Sequence, residues 1–312
     1  MPGKVYQQPR RLAVTPKYLK IQRMKSSIVI YLVDDDEDDI FLMKDALTTL
    51  IEDVDIIELS DGQSLLDNLD QPQQPALILL DMNMPKVNGL EALEQLKSNP
   101  KTQHIPVVMV STTASKQHIR QAYQLGINAF ITKPVSVDDY MMMANTVKAC
   151  YLSKYDSLNL MNTPAVFKDK TILVVEDDPD QWEIMSHVFR KKMPLVKIIR
   201  TYDRMSTLDY LTDQWNLSKP RPELIILDLY LPTRRDGLNL LDSFRYFFRI
   251  HKLAPVPIIV FSYSESREDI KLSYSHRANS YMVKSSDFNE SFLYLETVCR
   301  YWWHTIAMPQ KD

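Results

Sequence analysis

Acidic residues follow short apolar runs at matching places in two stretches of the chain. Ile28–Val33 (IVIYLV) leads directly into Asp34, Asp35 and Asp36, and Thr171–Val175 (TILVV) leads into Glu176, Asp177 and Asp178. A further acid closes the runs LILL and LIIL, at Asp81 and Asp228. Ser111 and Ser262 end later apolar runs, and Lys133 and Lys284 end the runs after those. Carboxylates that converge without compensation repel one another. A divalent cation resolves the repulsion, and an all-oxygen set of carboxylates and water suits Mg²⁺, with Mn²⁺ as a substitute. Beside such an ion, the Asp81 carboxylate could attack phosphorus in line as a nucleophile. The metal and the Lys133 ammonium would neutralise charge on the equatorial oxygens, and the Ser111 hydroxyl could donate to another. The product would be an aspartyl phosphate. Asp228, Lys284 and Ser262 offer the same chemistry a second time. The third acids, Asp36 and Asp178, read as loop or helix N-cap residues rather than ligands.

These side chains need elements that bring them together, and a tandem duplication supplies them. LILLDMNMP (77–85) recurs as LIILDLYLP (224–232), IPVVMVSTT (105–113) as VPIIVFSYS (256–264), and AFITK (129–133) as SYMVK (280–284). Near-continuous Val/Ile/Leu runs predict parallel strands covered on both faces. They fall at 28–33, 54–59, 76–80, 106–110 and 128–131, then 171–175, 196–201, 223–227, 256–260 and 280–283. Amphipathic helices are predicted between them. Five βα units per copy make a doubly wound α/β domain, in which ligands bind beyond the C-terminal strand ends where the acids cluster. The predicted organisation is a basic arm (1–26), a first domain (27–152), a linker (153–169) broken by Pro164, a second domain (170–306) and a short tail (307–312).

Composition narrows the function classes. With 312 residues, 45% hydrophobic and 25% charged, the chain reads as globular with room for two domains. Residues 1–26 carry a net charge of +7, 27–156 of −11 and 157–312 of +1. An acidic block of that size repels a phosphate backbone, which argues against nucleic-acid binding by the first half. No apolar stretch is long enough for a membrane span and no signal peptide is evident, so a cytoplasmic protein is expected. Cys150 and Cys299 match no metal or disulfide framework, the six histidines are scattered, and no Gly-rich phosphate loop appears.

The pieces VDDD (33–36), LLDMNMPKVNG (79–89), VMVSTTAS (108–115) and FITKP (130–134), with their repeats, resemble the receiver domain of two-component response regulators, twice over. The first copy is similar to the stand-alone receivers that serve phytochrome-type histidine kinases. The resemblance implies two flavodoxin-like (βα)5 domains with strand order 2-1-3-4-5. It implies Asp81 as phosphoacceptor. Asp35, Asp81 and the Asn83 carbonyl would bind Mg²⁺ directly and Asp34 through water. Lys133 would pair with Asp81, Ser111 would be the switch hydroxyl, Phe130 the switch aromatic, and Lys133–Pro134 a cis bond. In the second copy Asp228 would be acceptor, with Asp177, Glu176 and the Tyr230 carbonyl at the metal. Ser262, Tyr281 and Lys284 would complete the set. Self-phosphorylation and autodephosphorylation are expected rather than conventional turnover.

The second copy departs from this pattern. Ser285 replaces the proline, which should leave Lys284 less well aimed; the loop after Asp228 is a residue longer; and Arg277 stands where the first copy has Gly126. The Tyr230 side chain, two residues past the acceptor, should slow hydrolysis of a phosphate there. The phosphoryl donor would be a histidine kinase or histidine phosphotransfer protein. With no effector or DNA-binding segment evident, output would come through protein contacts, including a homodimer through the faces of helix four, strand five and helix five. The last helix carries adjacent Trp302 and Trp303, which cannot share one narrow stripe. One should pack on the core, and the other on the linker, the first domain or another subunit. Two other readings stay open: one working receiver with a degenerate second copy serving as an adaptor, and a metal-dependent phosphatase.

Overall fold

The computed structural model describes residues 27–71, 73–112, 115–152, 167–217, 220–285 and 287–309. The basic arm, the linker up to residue 166 and the last three tail residues lie outside these. In the first half, β1 (Ile28–Val33), β2 (Val54–Leu59), β3 (Leu77–Leu80), β4 (Val107–Ser111) and β5 (Ala129–Thr132) alternate with helices. These are α1 (Glu37–Leu50), α2 (Gly62–Asn68), α3 (Gly89–Ser98), α4 (Lys116–Leu125) and α5 (Val137–Val147). The second half repeats the order with β6 (Thr171–Val175), β7 (Lys197–Thr201), β8 (Leu224–Leu227), β9 (Ile258–Ser262) and β10 (Ser280–Val283). Its helices are α6 (Pro179–Lys192), α7 (Arg204–Asp209), α8 (Arg234–Ile250), α9 (Arg267–Ser275) and α10 (Phe288–His304). Each half forms one parallel five-stranded sheet, ordered β2-β1-β3-β4-β5 and β7-β6-β8-β9-β10, the flavodoxin-like arrangement.

Sheet register places the acids side by side. Val33 pairs with both Leu59 and Leu80, and the Asp81 amide donates to the Val33 carbonyl at 2.8 Å. Asp34 and Asp81 therefore leave neighbouring strands at one level. Val175 and Leu227 do the same for Glu176 and Asp228, whose amide donates to the Val175 carbonyl at 3.0 Å. Asp36 and Asp178 are N-caps, accepting from the amides of Asp38 and Asp39 and of Asp180 and Gln181. The acceptor loops press against the next helices: a Cβ on Gly89 would lie 2.2 Å from the Asp81 carbonyl oxygen, and one on Gly237 2.1 Å from that of Leu229. Only glycine permits this approach.

Three local expectations need correcting. β9 starts at Ile258, not 256, because Pro257 has no N–H to give the ladder. The fifth and seventh helices pass into π-helical turns at Lys148–Leu152 and Tyr210–Gln214. The single cis peptide among the described residues is Leu231–Pro232, so Lys133–Pro134 is not cis. The two isomers of an X–Pro bond differ by only about 0.5–1 kcal/mol, so residue identity alone does not decide.

The two halves share a core. Met143, Val147 and Cys150 belong to one buried cluster with Met282, Tyr294, Val298, Cys299 and Trp302. The end of the fifth helix covers β10: Ser280 Oγ donates to the Cys150 carbonyl (2.6 Å) and Tyr294 Oη to that of Ala149 (2.5 Å). Conversely, the chain after α10 covers β5, where Ile306 bridges Ile131 antiparallel and the Ala307 amide donates to the Phe130 carbonyl at 2.7 Å. Trp302 is fully enclosed, while Trp303 meets Phe167 edge to face at 5.7 Å. Parts of the strand-five and helix-five faces assigned above to a homodimer are thus covered within one chain.

Candidate functional site

At the first strand ends, Asp34, Asp35 and Asp81 bring carboxylate oxygens within 4.8 Å of one another. Asp34 and Asp81 are buried and Asp35 is exposed. Burial lifts the Asp34 and Asp81 carboxyls above their ordinary range, against the opposing pull of Lys133 and of backbone amides. The Asn83 amide donates to Asp81 Oδ2 at 2.6 Å, so the loop that follows the acceptor wraps back onto it. Such a set of hard oxygen donors fits Mg²⁺.

Lys133 does not sit on Asp81. Its Nζ is 2.9 Å from Asp34 and 2.5 Å from Asp39, but 3.9 Å from Asp81. Asp39 also accepts from the Tyr140 hydroxyl, which ties α1 to α5. Burial pulls the lysine down, yet the pairs with Asp39 and Asp34 outweigh it and hold the ammonium above its usual value. Asp39 is a site residue the sequence reading missed. It stands in the run DDDEDD, and its place one helical turn after Asp35 was the available signal.

The second cluster is Glu176, Asp177 and Asp228, again within 4.8 Å. Here Lys284 bridges directly, 2.8 Å from Glu176 and 2.9 Å from Asp228, with the rings of Phe261 and Tyr263 beneath it. Lys284 is therefore closer to its acceptor than Lys133 is, contrary to the expectation drawn from the missing proline. Burial raises the Glu176 carboxyl above its ordinary range, and Lys284 opposes that shift.

Ser111 and Ser262 lie buried at the ends of β4 and β9, next to the acceptor strands. Phe130 is wholly buried, and Tyr281 is turned in with its hydroxyl donating to the Ser264 carbonyl at 2.8 Å. The Tyr230 amide donates to Asp228 Oδ1 (3.3 Å), and its hydroxyl to Asp269 on α9 (2.9 Å). Asp269 also accepts from Ser264 Oγ and pairs with Arg234 at 2.8 Å. Burial would raise this carboxyl, but Arg234, Ser264 and Tyr230 together hold it below its ordinary value. Asp269 was not read from the sequence, because two of its partners, Tyr230 and Arg234, come from the segment that follows Asp228, some 35 residues or more away.

A parallel five-stranded α/β domain with a carboxylate triad, a hydroxyl and a lysine at its strand ends has the arrangement of a receiver domain, and this chain has two. The response regulator receiver domain family matches residues 30–145 and 172–295, and the chain belongs to that family. It is 34% identical over 130 residues to the response regulator Rcp1 of Synechocystis, covering 40% of this chain and 88% of that protein. It is 31% identical over 105 residues to a chemotaxis protein CheY homolog of Campylobacter jejuni, covering 34% of this chain and 80% of that one. Among solved structures, the Mn²⁺-bound form of Rcp1 is similar at 33% identity and TM-score 0.39, covering 42% of this chain and 99% of that one. Among the described residues, no helix is long and apolar enough to cross a membrane.

Proposed function

We propose that the chain is a two-component response regulator that accepts phosphoryl groups from a histidine kinase or histidine phosphotransfer protein at both Asp81 and Asp228, and signals through protein contacts. The observation that carries this reading is the repetition of the whole constellation: each half has a three-carboxylate cluster with a low-exposure lysine beside the acceptor. Asp35 and Asp81, with the Asn83 carbonyl, and Asp177 and Asp228, with the Tyr230 carbonyl, would hold Mg²⁺. Asp34 and Glu176 would act through water. The bound ion supplies charge neutralisation on the transferring group.

The chain's own residues do the rest. An oxygen of Asp81 forms the new bond to phosphorus as the bond to the donor's histidine nitrogen breaks. Lys133 must then leave Asp39 for a phosphoryl oxygen, and Ser111 donates to another. Phe130 and Tyr281 are switch residues that report the change through packing. A second reading, in which only Asp81 reacts, is favoured by the bonds that tie Tyr230 and Arg234, from the segment after Asp228, to Asp269. Intact mass after incubation with a small-molecule phosphodonor and Mg²⁺ separates the two. Two phosphate additions, one lost in Asp81→Asn and one in Asp228→Asn, support the double receiver. One addition lost only in Asp81→Asn supports the second reading.

A further inference from the structure

Between the halves, on the side of α4 and the turn after α8, lies a cleft of about 570 Å³. Its charge is one-sided. Arg245, Arg249, Lys252 and Arg277 line it, and none of the four makes an ion pair with a carboxylate among the described residues. The acid that lines it, Asp242, is engaged with His276 at 2.9 Å.

The internal repeat provides a comparison. Lys97 occupies in α3 the place of Arg245 in α8, and each cation donates to the Oδ1 of the asparagine preceding the fifth strand, Asn128 or Asn279. Lys97 satisfies its three donors with that oxygen and the carbonyls of Gln103 and Ile105. Arg245 uses its two terminal nitrogens on Val256, Arg277 and Asn279, but its buried Nε has no acceptor. Beside it, Arg277 stands at φ +65°, in the left-handed region where the first half has Gly126 at φ +100°. A non-glycine residue there costs about 1 kcal/mol. Its guanidinium crosses to the Gln124 carbonyl and stands close enough to depress Arg245, which burial already pulls down, to about 9. Arg245, its buried Nε without an acceptor, thus stands among three exposed cations that have no carboxylate partner among the described residues, an arrangement an anion would relieve.

We propose that this cleft binds a small phosphorylated molecule, up to the size of a nucleoside diphosphate, whose phosphates lie among Arg245, Arg249, Lys252 and Arg277. Tyr246, more than half exposed with the Arg249 guanidinium 5.7 Å from its ring, offers a flat face at the rim for a base. The site is separate from both acidic clusters, so a ligand here would act on the relation between the domains.

The test is calorimetric titration of the full chain with ADP and, separately, with inorganic pyrophosphate, at low salt with chelator present so that the acidic sites hold no metal. Saturable binding that weakens about tenfold or more in Arg249→Ala or Arg277→Gly is expected. Arg249→Ala touches no interdomain bond, and Arg277→Gly places the first half's residue in a conformation glycine accepts. Phosphate uptake at Asp81 and Asp228 should be unchanged in both, which separates failure here from failure of the receiver reading. ADP binding well above pyrophosphate identifies a nucleotide, and equal affinity identifies the phosphate chain alone. No saturation with either probe, or affinity undiminished in both variants, overturns the proposal.

Discussion

Asn128 and Asn279 clasp each other's backbones across the domain boundary. Asn128 Nδ2 donates to the carbonyls of Ala278 (3.0 Å) and Asn279 (3.4 Å), and Asn279 Nδ2 to those of Ile127 (3.2 Å) and Asn128 (3.0 Å). Their Oδ1 atoms accept from the first amides of the neighbouring strands, Val107 and Ile258, at 2.9 Å. Each side chain thus starts a sheet edge in its own half and holds the other half, giving the chain a pseudo-two-fold axis. Isologous contacts of this kind normally join two copies of a protein.

Replacing either asparagine should be costly. Asn128→Ala strands buried donors and acceptors in both halves, and about 2–4 kcal/mol of lost stability is expected, with the same for Asn279→Ala. Because they share partners, the double variant should lose less than the two single losses together. Urea unfolding followed by fluorescence checks this, and the shared core predicts one transition. Two well-separated transitions would show that the halves are not coupled.

On the proposed reading, lysine and metal would compete for the same carboxylates. Lys284→Met should lower the stability of the metal-free chain, since Glu176 and Asp228 lose the cation within 3 Å. Mg²⁺ should then bind the second site more tightly, about tenfold, and raise the melting temperature more than in the parent. Lys133→Met should have a smaller effect on Asp81, from which the ammonium is 3.9 Å away. Metal titration of each variant against the parent measures both. Removing Mg²⁺ with chelator should abolish phosphate gain at both acceptors.

Tyr230 lies two residues past Asp228 with its hydroxyl bonded to Asp269, and on the proposed reading its ring would restrict the approach of water to a phosphate there. The Asp228 phosphate should therefore outlive the Asp81 phosphate, by roughly threefold or more. Tyr230→Asn should erase the difference, and Asp269→Ala should shorten the Asp228 lifetime by freeing the ring. Decay of each phosphoprotein, measured by mass in full chains carrying Asp81→Asn or Asp228→Asn, decides the matter; equal lifetimes would remove this role for Tyr230.

Lys97 gives a pH prediction. Burial, with Arg277 second, pushes its ammonium down to about 7, while unfolding restores the ordinary lysine value of about 10.4. Between those limits the unfolded chain binds more protons, so this residue makes stability rise with pH from about 7 and adds nothing further above about 10.4. Below about 7 the penalty of the buried charge is present in full. The gain from pH 7 to 9 should reach up to about 2 kcal/mol, reduced by the three oxygen acceptors around Nζ. Lys97→Met should flatten this slope in urea titrations at the two pH values.

Much of this was legible in the sequence. The strand runs, the repeat and the acids at strand ends follow from local pattern, since an apolar strand followed by an acid places that acid at the sheet's C-terminal edge. Asp39 offered only its place one turn after Asp35, and Asp269 offered no signal, because each is defined by partners on other elements: Lys133 and Tyr140 for one, Tyr230 and Arg234 for the other. The excess of apolar residues on the last helix announced a covered face, and Trp302 and Cys299 fill it. What covers it depended on the relative placement of the halves, which no periodicity encodes. The exposed run of acids, by contrast, did not reveal that Lys133 would rest between Asp34 and Asp39 rather than on Asp81.

The bridge from Ile306 to Ile131 joins residues 175 positions apart. During synthesis the first domain's strands emerge long before this partner does, so β5 must wait at the ribosome with an unprotected edge. Contacts so distant along the chain slow folding and leave sticky intermediates. The edge of β5 is therefore completed by the part of the chain that is made last.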